Sequence, residues 1–75
     1  MWLKIREGIV VNLANVKYAE TSGRYVVFHF INDTSPLMVP FENKEQSKEW
    51  LNVFFTLTKA QKNASAIDIS KWKLN

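Results

Sequence analysis

His29 is the only histidine of the chain and its one strong candidate for a general base. It lies between Phe28 and Phe30 in the most apolar run of the sequence, "GRYVVFHFI". Nucleophilic catalysis needs Ser, Thr, Cys or Lys beside a base, and acid-base catalysis usually needs two titratable groups in different environments. The chain has no cysteine, and most of its carboxylates lie beside turns or in one predicted helical turn. We therefore predict no catalytic residue and no enzyme activity, with His29 a neutral imidazole that is hydrogen-bonded at one nitrogen.

Metal and cofactor sites are not indicated by the residue types. One histidine without cysteine cannot build a structural zinc site. Glu42, Glu45 and Glu49 lack the alternating oxygen ligands of a calcium loop, and their place at the start of a predicted helix explains them as a charge bias. Gly8 and Gly23 stand alone, whereas a phosphate-binding loop is rich in glycine. We expect neither a metal nor a cofactor.

One predicted strand face combines an aromatic ring with cations. Trp2, Lys4 and Arg6 alternate along it, and Lys17 would lie nearby if the strands follow one another in a single sheet. Rings stack on bases and cations neutralise phosphate, so this face could bind single-stranded nucleic acid. The competing interpretation is that long amphipathic side chains cover the sheet. Residues 1–55 are neutral by formal charge and the net +3 lies in residues 56–75, which favours the second interpretation.

Alternation of apolar and polar residues predicts five strands. Residues 2–6 and 9–13 are separated by Glu7-Gly8, a hairpin signal because glycine tolerates the positive φ of the tight turns that join antiparallel strands. Residues 16–20, 25–31 and 37–40 predict three more strands, and Pro40 places the last at an edge or a strand end. We interpret them as one antiparallel meander.

The fourth predicted strand is apolar on both faces. By alternation, Tyr25, Val27, His29 and Ile31 share one face, and the other consists of valine and phenylalanine. Such a strand is covered on both sides, by the helix on one and by something else on the other.

The apolar period changes to that of a helix from Asn43 onward. Asn43 is a good N-cap, Gln46 occupies the capping-box position, and the pattern continues to about residue 62. Its apolar residues span an arc of roughly 200°, wider than one sheet contact needs. We expect the helix to contact the sheet through Trp50, Phe54 and Leu57. On the sheet, we expect this contact to involve one face of the fourth strand together with Leu3, Ile5, Val16 and Tyr18.

These elements predict an α+β fold, an antiparallel meander of about five strands followed by one long C-terminal amphipathic helix. We expect one domain in residues 1–63 and a C-terminal extension in residues 64–75. The extension either adds a sixth strand through Ile67 and Ile69 or docks loosely. Folded back with Trp72, it could also cover the open face of the fourth strand.

Residues 16–30, "VKYAETSGRYVVFHF", resemble the central strands of LytTR-type DNA-binding domains. In that family an apolar-x-Tyr-apolar-Glu strand, a Gly-containing turn and a Tyr-Val-x-x-His strand recur in this order. The resemblance implies a shared strand pattern and, as an alternative function, DNA binding. The family's later Arg-x-His-Arg-Ser-Tyr segment has no counterpart in residues 54–70, so no DNA-contacting residue carries over.

More apolar surface is predicted than a lone chain of 75 residues can cover. Exposed apolar patches and aromatic residues are typical of interfaces. We therefore predict a small non-enzymatic binding or regulatory module that acts through protein contact. A homodimer is the simplest assembly that would cover the apolar surface, and we expect no membrane association. No apolar run is long enough for a signal peptide or a membrane span, so we expect a cytoplasmic protein. The candidate surface consists of Tyr25, Val27, His29, Ile31, Leu51, Phe55 and Trp72.

Overall fold

The computed structural model describes residues 1–71 and has a mixed α+β fold, which confirms the predicted class. The described part contains six strands, one α-helix and one 3₁₀ turn over Leu13–Asn15. In chain order the strands and the helix are β1 (Trp2–Arg6), β2 (Ile9–Asn12), β3 (Val16–Ser22), β4 (Tyr25–Phe30), β5 (Leu37–Pro40), α1 (Lys44–Ala60) and β6 (Ala66–Asp68).

The strands form two three-stranded sheets, in the orders β2-β1-β6 and β3-β4-β5, so the expectation of a single meander was wrong. β1 and β2 are antiparallel, as the hairpin signal predicted, with Leu3 opposite Val11. The chain leaves the first sheet through the 3₁₀ turn, where the Asn12 side chain accepts a hydrogen bond from the Ala14 backbone N–H at 3.1 Å. This turn replaces the tight hairpin that would have kept β3 beside β2.

The helix is not the last element, because the chain returns to the first sheet as β6. This strand runs parallel to β1 with Ile67 opposite Leu3. Backbone bonds continue the pairing on both sides, since Trp2 N–H donates to the Ser65 carbonyl at 2.9 Å and Ile69 N–H to the Lys4 carbonyl at 3.0 Å. Both isoleucines are buried in the main core, so neither covers the open face of β4. Trp72 lies outside the described residues.

The core lies between the two sheets and the helix. Phe28, fully buried on β4, meets two aromatic rings of the helix nearly edge-on, Trp50 at 6.0 Å and Phe54 at 5.7 Å between centroids. Each edge-to-face pair contributes roughly 0.5–1.5 kcal/mol beyond the burial of its two rings. The buried cluster consists of Leu3, Ile5, Val11, Val26, Phe28, Val39, Phe41, Trp50, Ile67 and Ile69, with Val16, Phe54 and Leu57 among those packed against it.

Two local features fix the start of α1. The Asn43 side chain accepts from the Gln46 backbone N–H at 2.9 Å, which confirms the predicted N-cap. The buried Ser47 hydroxyl lies 2.9 Å from the Gly23 carbonyl and 2.8 Å from the Lys44 carbonyl. Its single proton serves one of these at a time, and the contact with Gly23 ties the helix to the turn between β3 and β4. The helix ends at Ala60, slightly before the predicted end.

A bulge in β3 reverses the expected orientation of Tyr18. Val16 lies opposite Phe30 and Tyr18 opposite His29, so Lys17 is an extra residue between two successive pairs. Val16 therefore packs against the core while Tyr18 turns outward and is 49% exposed. The predicted contact of Tyr18 with the helix was wrong, because simple alternation does not anticipate an inserted residue.

Candidate interaction surface

The second sheet has one face against the helix and one face away from it. Val26 and Phe28 point into the core, so Tyr25, Val27 and His29 project from the opposite side of β4. The strand register places residues of β3 and β5 beside them. We call this side the outer face, and it consists of Tyr18, Glu20, Tyr25, Val27, His29 and Met38, with Ile31 directly after β4.

His29 is held by two neighbours on β3. Its Nε2 lies 2.6 Å from Oε2 of Glu20, and its ring stacks on Tyr18 at 4.2 Å with an interplanar angle of 16°. A carboxylate only accepts hydrogen bonds, so Nε2 carries the proton that it donates to Glu20. Within residues 1–71, neither His29 nor Glu20 forms a hydrogen bond with a hydroxyl or an amine. The pair therefore orders two half-exposed side chains and has no nucleophile bonded to it.

The centre of the outer face is apolar and its surroundings are only half covered. Val27 is 5% exposed and lies opposite Glu20 on one side and Met38 on the other. Tyr18, Met38 and Ile31 are 49%, 50% and 51% exposed. Met38 lies directly opposite Val27 and Tyr18 lies one pair along, so two half-exposed large side chains adjoin a buried valine, and Ile31 follows at the end of the strand. Such a patch is of the kind that marks an interaction site.

The candidate residues predicted from sequence lie on two sides of the molecule. Tyr25, Val27 and His29 belong to the outer face. Leu51 and Phe55 are on α1, which packs on the other face of the sheet; Leu51 is half-buried against the core and Phe55 is 64% exposed. Trp72 lies outside the part of the chain that the structure describes. The candidate surface predicted from sequence is therefore not continuous. Its β4 residues project from one side of the sheet, and its helix residues lie on the other side.

Three outer-face residues were not recognised from sequence, namely Tyr18, Glu20 and Met38. Glu20 and Met38 flank Val27 through the register of three strands, which pairs residues far apart in the chain. The alternation of Tyr18 and Glu20 in "YAE" was the available signal, and the bulge at Lys17 concealed its direction.

Two cations of the predicted nucleic-acid face, Lys4 and Arg6, form contacts within the chain. Trp2 is 53% exposed on β1, but Lys4 Nζ lies 2.8 Å from Oε1 of Glu7, and this hydrogen bond raises the pKa of Lys4. Arg6 donates to a main-chain carbonyl of β5. Lys17 is on β3, in the other sheet, so strand pairing does not place it beside Lys4.

Residues 1–71 contain neither a metal-binding cluster nor a helix that could span a membrane. No group of three His, Asp or Glu side chains is arranged there to hold a metal ion. No helix in this range is long and apolar enough to cross a bilayer. Comparison with protein-family models, curated proteins and solved structures gives no match.

Proposed function

We propose that this protein is a small non-enzymatic binding module that acts through protein contact, with the outer face as its contact surface. The observation that carries the proposal is the outer face itself: Val27 is buried at its centre, Met38 lies directly opposite Val27, Tyr18 lies one pair along, and both of these side chains are about half exposed. The solvent face of an antiparallel sheet is ordinarily polar. Covering this patch removes apolar area from water at a gain of roughly 25 cal/mol per Å².

The partner that we propose is a second copy of the chain. A two-fold dimer brings the same patch together from both copies, so it needs a surface without strong like-charge repulsion. The outer face carries a single carboxylate, Glu20, which accepts a hydrogen bond from His29, so like-charge repulsion between two copies is limited to one pair of carboxylates. A standard interface takes about 800 Å² from each partner, which is roughly one sixth of the 5133 Å² surface of this chain.

Sedimentation across the micromolar concentration range tests this proposal. We expect the mass of a reversible dimer for the unaltered protein and of a monomer for Met38→Lys, because a lysine in the contact would have to be desolvated without a partner. Val10→Lys is the matched control, since Val10 is 54% exposed on β2 of the other sheet, and this variant should still dimerise. A strict monomer at all concentrations, or equal loss in both variants, contradicts the dimer.

Nucleic-acid binding through Trp2, Lys4, Arg6 and Lys17 is the competing proposal, supported by the exposed Trp2 ring. The resemblance of residues 16–30 to LytTR-type domains suggests DNA binding as well, but it assigns no residue to this face. It predicts retardation of DNA or RNA at low salt, with affinity that falls steeply as salt is added. Trp2→Ala would weaken such binding, whereas Met38→Lys would not. Retardation with this pattern would favour nucleic-acid binding over protein contact.

A further inference from the structure

A second surface feature is a cleft of about 510 Å³ where the two sheets meet the start of α1. Arg6 enters it from β1 and Arg24 from the turn before β4, so each sheet contributes one guanidinium. Phe41 and Trp50, both buried, line it, and the carboxylate-bearing Glu42 lies at its wall. This cleft borders the outer face at Tyr25, which lies opposite Pro40.

Both guanidinium groups are held in place by the same short piece of chain. Arg6 stacks over the Phe41 ring at 4.8 Å and donates to the Pro40 carbonyl. Arg24 Nη1 donates to the Phe41 carbonyl at 2.9 Å, and its guanidinium stacks over the Tyr25 ring at 4.9 Å. Because these contacts already restrict the two long side chains, a ligand that bound them would lose little additional conformational entropy.

The two arginines retain unused hydrogen-bonding capacity. Each guanidinium has five N–H donors. Among residues 1–71, Arg6 uses one, and Arg24 uses two, the second to the Tyr25 hydroxyl at 3.2 Å. No carboxylate of the described residues lies within 4 Å of either group. The cleft thus combines two guanidinium groups that have several unused N–H donors with one carboxylate, that of Glu42, which lies farther than 4 Å from both.

We propose that this cleft binds an oxyanion, a carboxylate or phosphate group, carried on an apolar or aromatic body. Planar guanidinium groups match the oxygens of both anions in paired hydrogen bonds. The Trp50 and Phe41 side chains provide an apolar lining for the rest of the ligand. The Glu42 carboxylate disfavours ligands that carry a second negative charge close to it, because like charges repel.

NMR titration of the full chain tests the proposal with four small probes: phenyl phosphate, benzoate, inorganic phosphate and neutral phenol. We expect saturable shifts of the Arg6 and Arg24 side-chain N–H signals and of the Trp50 indole N–H at low salt, with a Kd of about 1 mM or tighter for the better aromatic anion. Benzoate and phenyl phosphate distinguish the two anion types. Equal binding of phenol, or no saturable shift with any anion, overturns the proposal.

Charge variants separate a specific site from general attraction. Arg24→Gln should raise the Kd of the better aromatic anion by about tenfold or more, since the substitution removes a charge-assisted donor. Lys17→Gln removes the same charge from β3 and should leave the Kd unchanged; equal weakening in both variants overturns the site.

Glu42→Gln provides a test that leaves both arginines intact. Only the backbone N–H of Glu42 takes part in the helix cap, so the fold is retained. Removal of the nearby negative charge should tighten binding by about threefold. Unchanged or weaker binding in this variant contradicts the proposed position of the anion.

Discussion

At the scale of single residues, Asp68 shows how local hydrogen bonds fix the end of a strand. Its Oδ1 accepts from the Ser70 hydroxyl at 2.5 Å and from the Ser70 backbone N–H at 2.9 Å. Both donors favour the charged carboxylate and lower the pKa of Asp68. The resulting stabilisation is present above the unfolded pKa and is lost as the pH falls through the lower, folded pKa.

Ser70→Ala should move the pKa of Asp68 upward toward its ordinary value, because the hydroxyl is the largest cause of its lowering. The backbone donor remains, so the return should be partial. A carboxyl carbon NMR titration measures this pKa directly, and Ser22→Ala on β3 is the matched control. An unchanged Asp68 midpoint in Ser70→Ala would contradict the assigned cause.

The surroundings of His29 could be predicted only in part from the sequence. Strand alternation was enough to place it on a face with Tyr25 and Val27, and a hydrogen bond at one nitrogen was expected. Its partner Glu20 lies nine positions earlier, and only the pairing of β3 with β4 brings them together. Contacts that depend on register require the bulge and the turn to be known first.

At the scale of elements, two adjacent phenylalanines of α1 face opposite environments. Phe54 packs against Phe28 and stacks on Trp50 at 5.5 Å between ring centroids, whereas Phe55 is 64% exposed. Successive helical positions differ by about 100°, which is enough to separate a core residue from a surface residue.

Phe54→Ala should lower the free energy of unfolding by about 3 kcal/mol, because it leaves a cavity beside two rings. Phe55→Ala should change it by no more than about 0.5 kcal/mol. Urea denaturation followed by tryptophan fluorescence measures both variants under identical conditions. Comparable losses in the two variants would show that the helix is rotated relative to the sheet.

The elements themselves were more predictable than their assembly. Residues 2–6, the hairpin at Glu7-Gly8 and the Asn43 cap follow from local patterns, and the structure confirms them. The division into two sheets and the parallel pairing of β6 with β1 are long-range contacts without a turn signal. A strand of three residues, Ala66–Asp68, is also too short to show a clear period.

At the scale of the whole molecule, β6 completes the core that the first sheet and helix begin. Ile67 is 4% exposed and lies opposite the fully buried Leu3. A chain of 75 residues buries only a small core, so each buried aliphatic side chain contributes a large share of its free energy of unfolding.

Ile67→Ala should therefore lower the free energy of unfolding by about 3 kcal/mol. Ala66→Ser, at an exposed neighbouring position of the same strand, is the control and should have little effect. Thermal unfolding followed by circular dichroism compares the two. Wild-type stability in Ile67→Ala would mean that residues 1–63 fold without this strand.

Contact through the outer face is the central claim, and intermolecular NMR contacts between isotope-labelled and unlabelled copies of the chain test it most directly. We expect contacts from the Met38 methyl of one copy to Tyr18, Val27 or Ile31 of the other, in samples at concentrations where the dimer forms. The absence of such contacts, or contacts that map to Phe55 on α1 instead, would contradict it.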